Sequence, residues 1–150
     1  MNRFWRLSSW ITRLILLLPT GLFAVIGVRY LANVTAVGER GIAFTSGFGM
    51  TVGRVGFGAF PLAFSMFLLG CLFFERRLLT ALAFVATLDS VVLVVRVASM
   101  FADSSVQQNM GLVRAEVFLL ALTSVGLLLE FGRRRRAAAL PAPIVANAQG

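Results

Sequence analysis

Five ionisable side chains interrupt apolar stretches of the sequence and are the main candidates for chemistry: Arg29, Arg54, Asp89, Arg96 and Glu116. Asp89 and Arg96 are seven residues apart, a spacing that puts them on one face of a helix. A helix that begins at Leu78 carries Asp89 about 16 Å from its start. In a membrane-spanning helix, a charge at that depth costs on the order of 3 kcal/mol and needs a compensating role.

Three interpretations of these five residues stay open. Three arginines and two carboxylates leave one positive charge, which favours a site for an anionic head group or a small acid, because the arginine fork matches carboxylate and phosphate. Ion pairs within the group would instead neutralise the charges and have the structural role of fixing the helix register: Asp89 with Arg96 or Arg29, and Glu116 with Arg54 or Arg96. An ion or proton pathway through the carboxylates is the third interpretation.

Composition excludes most other chemistry. The chain has no histidine and a single cysteine, Cys71, which lies in an apolar run. Catalytic triads that need histidine are therefore impossible, and metal and haem sites lose their usual ligands. We expect no catalytic residues, no metal and no cofactor. Four phenylalanines could line a quinone pocket, although their helical spacing is more typical of a packed core: Phe57, Phe60, Phe64 and Phe67.

The whole chain has the composition of an integral membrane protein. Of its 150 residues 59% are hydrophobic and 13% charged, and its mean hydropathy is +0.89. All 14 basic residues are arginine and the net charge is +8, a usage that we attribute to a GC-rich bacterial genome. These charges gather at the ends of apolar runs, as topology signals do, so nucleic-acid binding is not expected.

Apolar runs of spanning length predict an all-α, four-helix transmembrane bundle over residues 1–132, with these spans: 11–31, 55–75, 78–101 and 111–131. The glycine-rich stretch 32–53 is predicted to be a flexible or partly re-entrant loop. Residues 133–150, basic and then rich in alanine and proline, are predicted to form a disordered cytoplasmic tail. Val34-Thr35-Ala36 resembles a signal-peptide cleavage site, so the retention or removal of the first span stays open.

Arginine distribution predicts the orientation. Four spans put both termini and the 75–77 turn on one side, which would hold nine arginines against five on the other. This excess favours cytoplasmic termini in a bacterial inner membrane. A run of four arginines after the last span is expected to contact anionic lipid: Arg133, Arg134, Arg135 and Arg136.

The segment Arg54-Val55-Gly56-Phe57-Gly58, with Asp89 and Arg96 on the third span and Glu116 on the fourth, resembles a group of small four-span bacterial membrane proteins. Some carry domain-of-unknown-function labels and some are described as DoxX-like. The resemblance covers roughly residues 10–132 and implies a four-helix bundle. The DoxX-like link also implies redox or respiratory partners, yet this chain has no redox ligand of its own.

Three functional hypotheses follow. The first is a non-enzymatic accessory or assembly subunit that packs against other membrane subunits through its small residues. The second is an oligomeric carrier or channel component that uses Asp89, Arg96 and Glu116. The third is a lipid- or quinone-binding membrane protein, or an enzyme that acts on such a ligand at the arginine cluster. For the protein as a whole, we expect membrane lipids as surroundings and either other membrane-protein subunits or further copies of the chain as partners.

Overall fold

The computed structural model describes residues 3–40, 42–103 and 106–139, and no β-strand lies among them. Its five α-helices are α1 (Arg3–Ala32), α2 (Gly47–Gly53), α3 (Phe60–Leu72), α4 (Leu78–Ala102) and α5 (Val106–Ala139). The 3-10 helices Val34–Arg40 and Glu75–Arg77 lie in the connections, and a π-helical turn, Arg54–Ala59, joins α2 to α3.

Four helical segments are long and apolar enough to cross a membrane: Ser8–Ala32, Gly47–Leu72, Glu75–Ala102 and Asn109–Arg136. The predicted number of spans and the all-helical class are therefore confirmed for the described part of the chain. Helix α4 matches the predicted bounds of the third span, 78–101, to within one residue, because Glu75-Arg76-Arg77 and Asp103 mark its ends clearly.

The second helical segment begins at Gly47, eight residues before the predicted start at residue 55. Ser46 caps this helix, since its hydroxyl oxygen accepts a hydrogen bond from the Gly49 backbone N–H at 3.1 Å. Arg54, which suggested the span boundary, lies inside the helix with its side chain exposed. The prediction that residues 32–53 form one loop was therefore wrong for 47–53 and for the 3-10 helix at 34–40.

A wide turn follows Arg54. The Phe60 backbone N–H bonds to the Val55 carbonyl, five residues back instead of four, which defines the π-helical turn. Pro61 comes next and has no N–H to offer the preceding turn. The proline therefore accounts for the local departure from α-helical hydrogen bonding.

The last helix also exceeds its predicted end. α5 continues through the four arginines to Ala139, so residues 133–139 are helical and are not the start of a disordered tail. Glu130 pairs with Arg133 and Arg134, three and four residues later on the same helix face. These pairs extend the helix beyond its apolar segment. The remainder of the predicted tail, residues 140–150, lies outside the described residues.

Helix α1 packs against both α3 and α5, and α5 packs against α4. The largest buried apolar cluster comes from α1, α3 and α4: Ile15, Leu16, Leu68, Cys71, Leu78, Ala81, Leu82 and Val85. Helix α5 contributes the partly buried Leu122 and Leu127, which pack against this cluster. Phe64 and Phe67, named above as possible quinone contacts, stack edge-to-face on Phe84 at 5.5 and 5.2 Å between ring centroids. Those two rings therefore serve interhelical packing.

Two glycines bring α1 into backbone contact with the second segment. A Cβ added at Gly27 would lie 2.7 Å from the Leu62 backbone nitrogen, and one added at Gly58 would lie 3.0 Å from the Leu31 backbone nitrogen. Nearby, the Ser65 hydroxyl donates a hydrogen bond to the Thr20 carbonyl at 2.9 Å. Small residues thus allow the close helix contact that membrane proteins use in place of hydrophobic driving force.

Replacement of Gly27 by alanine should destabilise the fold. The added methyl group would meet backbone atoms that cannot rotate away, so we expect a loss of about 1–3 kcal/mol and a lower melting temperature by circular dichroism in detergent. Gly21→Ala on the same helix is the matched control, because nothing lies within 4 Å of its Cβ position. Equal melting temperatures for the two variants would contradict the contact.

Candidate functional site

The central feature of the predicted cluster is a two-pronged ion pair between α4 and α5. Arg96 Nε donates to both carboxylate oxygens of Glu116, at 2.8 and 2.9 Å, and its Nη2 lies 2.7 Å from Oε1. Arg96 Nη1 also donates to the Asn109 side-chain carbonyl at 3.3 Å. This fork geometry neutralises both charges and fixes the register of the two helices.

Asp89 lies on the same helix as Arg96 but does not share this pair. Its side chain is buried, with only 7% of the residue exposed, and its Oδ2 atom has no hydrogen-bond partner among the described residues. The Arg96 guanidinium, two helical turns away on the same helix, binds Glu116 instead. An ionised carboxylate buried without a partner costs several kcal/mol, a cost that a bound proton or cation would remove.

The other two predicted members lie elsewhere. Arg29 is exposed near the end of α1, with its guanidinium carbon 6.0 Å from the centroid of the Tyr30 ring. Arg54 is exposed in the π-helical turn, and no described side chain pairs with it. Of the five predicted residues, the structure therefore joins Arg96 to Glu116 across α4 and α5. It leaves the Asp89 Oδ2 atom on α4 without a partner among the described residues, and no described ion pair joins Arg54 to the other four.

A second charged group, which we call the end cluster, lies where α1 and α4 begin and α5 ends. It consists of two glutamates and five arginines: Glu75, Glu130, Arg13, Arg76, Arg77, Arg133 and Arg134. The Glu130 side chain is completely buried, and three guanidinium N–H groups donate to it: Arg133 Nε and Nη2 at 2.9 and 2.8 Å, and Arg134 Nε at 3.1 Å. The buried carboxylate thus holds two of the predicted lipid-contacting arginines in place.

Glu75, in the connection between α3 and α4, contacts both α1 and α5. Its Oε1 accepts a hydrogen bond from the Ser9 hydroxyl at 3.1 Å and lies 3.8 Å from Arg13 Nη2. Its Oε2 lies 3.7 Å from Arg133 Nη1. Arg134 Nη2 donates to the Arg76 backbone carbonyl at 2.8 Å, which attaches α5 to the Glu75–Arg77 turn.

The end cluster borders an open pocket of about 260 Å³ lined by Glu75, Arg76, Arg133 and Arg134. Sequence reasoning named Arg133 and Arg134 but did not place them against the turn. The spacing of Glu130 to Arg133 and Arg134 signals the pairs within α5. Arg134 and Arg76 are 58 residues apart in the sequence. Contacts of α5 with Glu75 and Arg76 depend on how the helices pack, so no local sequence pattern predicts them.

Within residues 3–40, 42–103 and 106–139, no three histidine, cysteine, aspartate or glutamate side chains come together as metal ligands. Cys71 is buried in the apolar cluster. What the charged groups can do chemically is to bind ions and polar head groups.

Comparison of the chain with family models, curated proteins and solved structures gives no match.

The Arg96–Glu116 pair should show strong coupling in a double-mutant cycle. Arg96→Gln and Glu116→Gln each leave one charge without its partner, so each single variant should lose stability. The double variant leaves no unpaired charge, so its loss of stability should be smaller than the sum of the two single losses. We expect a coupling free energy of about 1–3 kcal/mol, measured by unfolding in detergent. Arg54→Gln is the control, with an expected change within about 0.5 kcal/mol. Additive effects would show that the pair has no net structural value.

Proposed function

We propose that this protein is a non-enzymatic accessory or assembly subunit of a larger complex in the bacterial inner membrane. In this proposal the four spanning segments form a bundle with both termini in the cytoplasm, and the end cluster faces the cytoplasm. The arginine count supports that orientation, since the side that would hold the end cluster carries nine of the 14 arginines.

The observation that carries the proposal is an open face on the second segment. A Cβ at Gly56 or Gly70 would have nothing within 4 Å, and Ala63 is exposed. Ala63 and Gly70 are seven residues apart, so they lie on one face of α3. Gly27 and Gly58, by contrast, are buried in the contact between α1 and the second segment, so they are not accessible to another helix.

Small side chains on an open helix face allow another helix to approach closely, which is how membrane helices associate. The internal pairing of Arg96 with Glu116 supports a structural role for that pair over a transport role. A helix of another subunit is therefore the occupant that we propose for this face.

Ala63→Leu should reduce recovery of the partner subunit and leave the melting temperature unchanged, since the residue is exposed. The measurement is native mass spectrometry of the protein purified from its own membranes in mild detergent. Ala121→Leu, at an exposed position of α5, is the matched control and should keep the partner.

A stoichiometric heteromeric assembly that survives Ala121→Leu and is lost with Ala63→Leu is the expected result. A monomer or a homo-oligomer in the unaltered protein would overturn the accessory-subunit proposal.

Asp89 favours a second candidate, an oligomeric carrier or channel component for protons or small cations. Its carboxylate is buried and has an oxygen without a donor among the described residues, which is the state expected of an ion-binding group between binding events. Several copies of the chain would be needed to enclose a pathway, because four helices enclose little space.

Asp89→Asn separates this candidate from a structural role. The substitution removes no described hydrogen bond or ion pair, so the melting temperature should stay the same or rise. Under the carrier proposal, proton or cation flux into reconstituted vesicles should disappear in the same variant. A lower melting temperature with no flux in either protein would contradict the carrier role and assign Asp89 to the fold.

A further inference from the structure

We propose that the pocket of the end cluster is a binding site for the phosphate head group of an anionic phospholipid. The site is defined by Glu75, Arg76, Arg133 and Arg134 and has a volume of about 260 Å³. That is slightly below the range of roughly 300–1,000 Å³ for drug-sized ligands, which suits a small head group. The proposal does not depend on a partner subunit or on transport.

The charge balance favours an anion. The end cluster has five arginines against two glutamates, which leaves three positive charges at one end of the molecule. Glu130 is already saturated by three N–H donors from Arg133 and Arg134. At the pocket itself, Arg76, Arg133 and Arg134 outnumber Glu75 and the buried Glu130 by one positive charge. Among the described lining residues, Glu75 is the one acidic side chain.

Donors remain available at the pocket. The exposed Arg76 side chain has no described partner, because only its backbone carbonyl is engaged, by Arg134. Arg134 uses Nε and Nη2 in the described hydrogen bonds, so its Nη1 is left for a ligand. A guanidinium fork at Arg76 and a further N–H group at Arg134 match the oxygens of a phosphate.

The position of the pocket identifies a lipid as the source of that phosphate. Two spanning segments start at Ser8 and Glu75, and two end at Leu72 and Arg136, so the pocket lies where the apolar segments meet water. Head groups occupy that level of a bilayer.

Exposed aromatic rings mark the same level, as they do at membrane interfaces. Trp10 is 62% exposed with Arg13 over its ring, and Phe74 is 57% exposed with Arg77 over its ring. The acyl chains of a bound lipid would lie along the exposed apolar side chains of the spans.

The test is a lipid titration of the full chain in an uncharged detergent, followed by native mass spectrometry. Phosphatidylglycerol is the anionic probe and phosphatidylethanolamine the zwitterionic one. We expect one tightly held phosphatidylglycerol per chain and preference over phosphatidylethanolamine. Arg76→Gln should weaken phosphatidylglycerol binding roughly tenfold or more, as the loss of a charged hydrogen bond does.

Arg135→Gln is the matched control. Arg135 is exposed on the same helical turn as Arg134 and lies over the Phe131 ring, 5.3 Å from its centroid, and it does not line the pocket. We expect a change of less than about threefold for this variant, the size of a generic surface-charge effect. Equal losses for Arg76→Gln and Arg135→Gln would overturn the site and indicate non-specific attraction.

Glu75→Gln tests the charge argument in the opposite direction. Removal of the acidic lining residue should strengthen phosphatidylglycerol binding, and weaker binding would contradict the proposed head-group position. Inorganic phosphate in the same titration distinguishes the two possible sources of the anion. Displacement of the lipid by millimolar phosphate would show that the pocket takes a soluble anion, and the lipid assignment would be wrong.

Discussion

The rest of the structure depends on the contact of α1 with the second spanning segment at Gly27 and Gly58. Apolar surface gains little from association in lipid, so close packing and interhelical hydrogen bonds must hold the helices together. Backbone atoms of the two segments come as near as they do because neither glycine has a side chain. The Ser65–Thr20 hydrogen bond adds a polar link beside this contact. Since α1 also packs on α5, and α5 on α4, the position of α1 determines where the remaining helices lie.

That arrangement divides the charges into three kinds. Arg96 and Glu116 satisfy each other and hold α4 to α5. The end cluster satisfies its buried Glu130 and keeps a positive excess at its surface. Asp89 is buried with an oxygen that no described residue satisfies. In an apolar medium each buried charge must be paired or neutralised. The first two kinds of charge are paired within the molecule and stabilise its fold. The burial cost of the Asp89 carboxylate is not offset by any described residue.

Sequence reasoning was reliable where the signal was local and periodic. Long uncharged runs predicted the four spans, and the Glu75-Arg76-Arg77 turn predicted the start of α4. It failed at Arg54 because a charge was taken as a boundary, whereas a Ser46 cap starts the helix earlier and the arginine side chain simply points outward as an exposed residue. It also grouped five charged residues from four helices, although a shared helix face was argued only for Asp89 and Arg96. Their direction around each helix, which depends on the π-helical turn and the glycine contacts, decides which of them meet.

The length of α5 has a consequence for how the molecule sits in a bilayer. Its 34 residues extend about 51 Å, whereas the hydrocarbon layer is about 30 Å thick. The helix must therefore tilt or project beyond the lipid, and its arginine-bearing end is the part that can stand in water. A rigid projection of this kind makes the height of Arg133 and Arg134 above the acyl chains depend on bilayer thickness, so thinner and thicker membranes would present the same side chains to different layers of the interface.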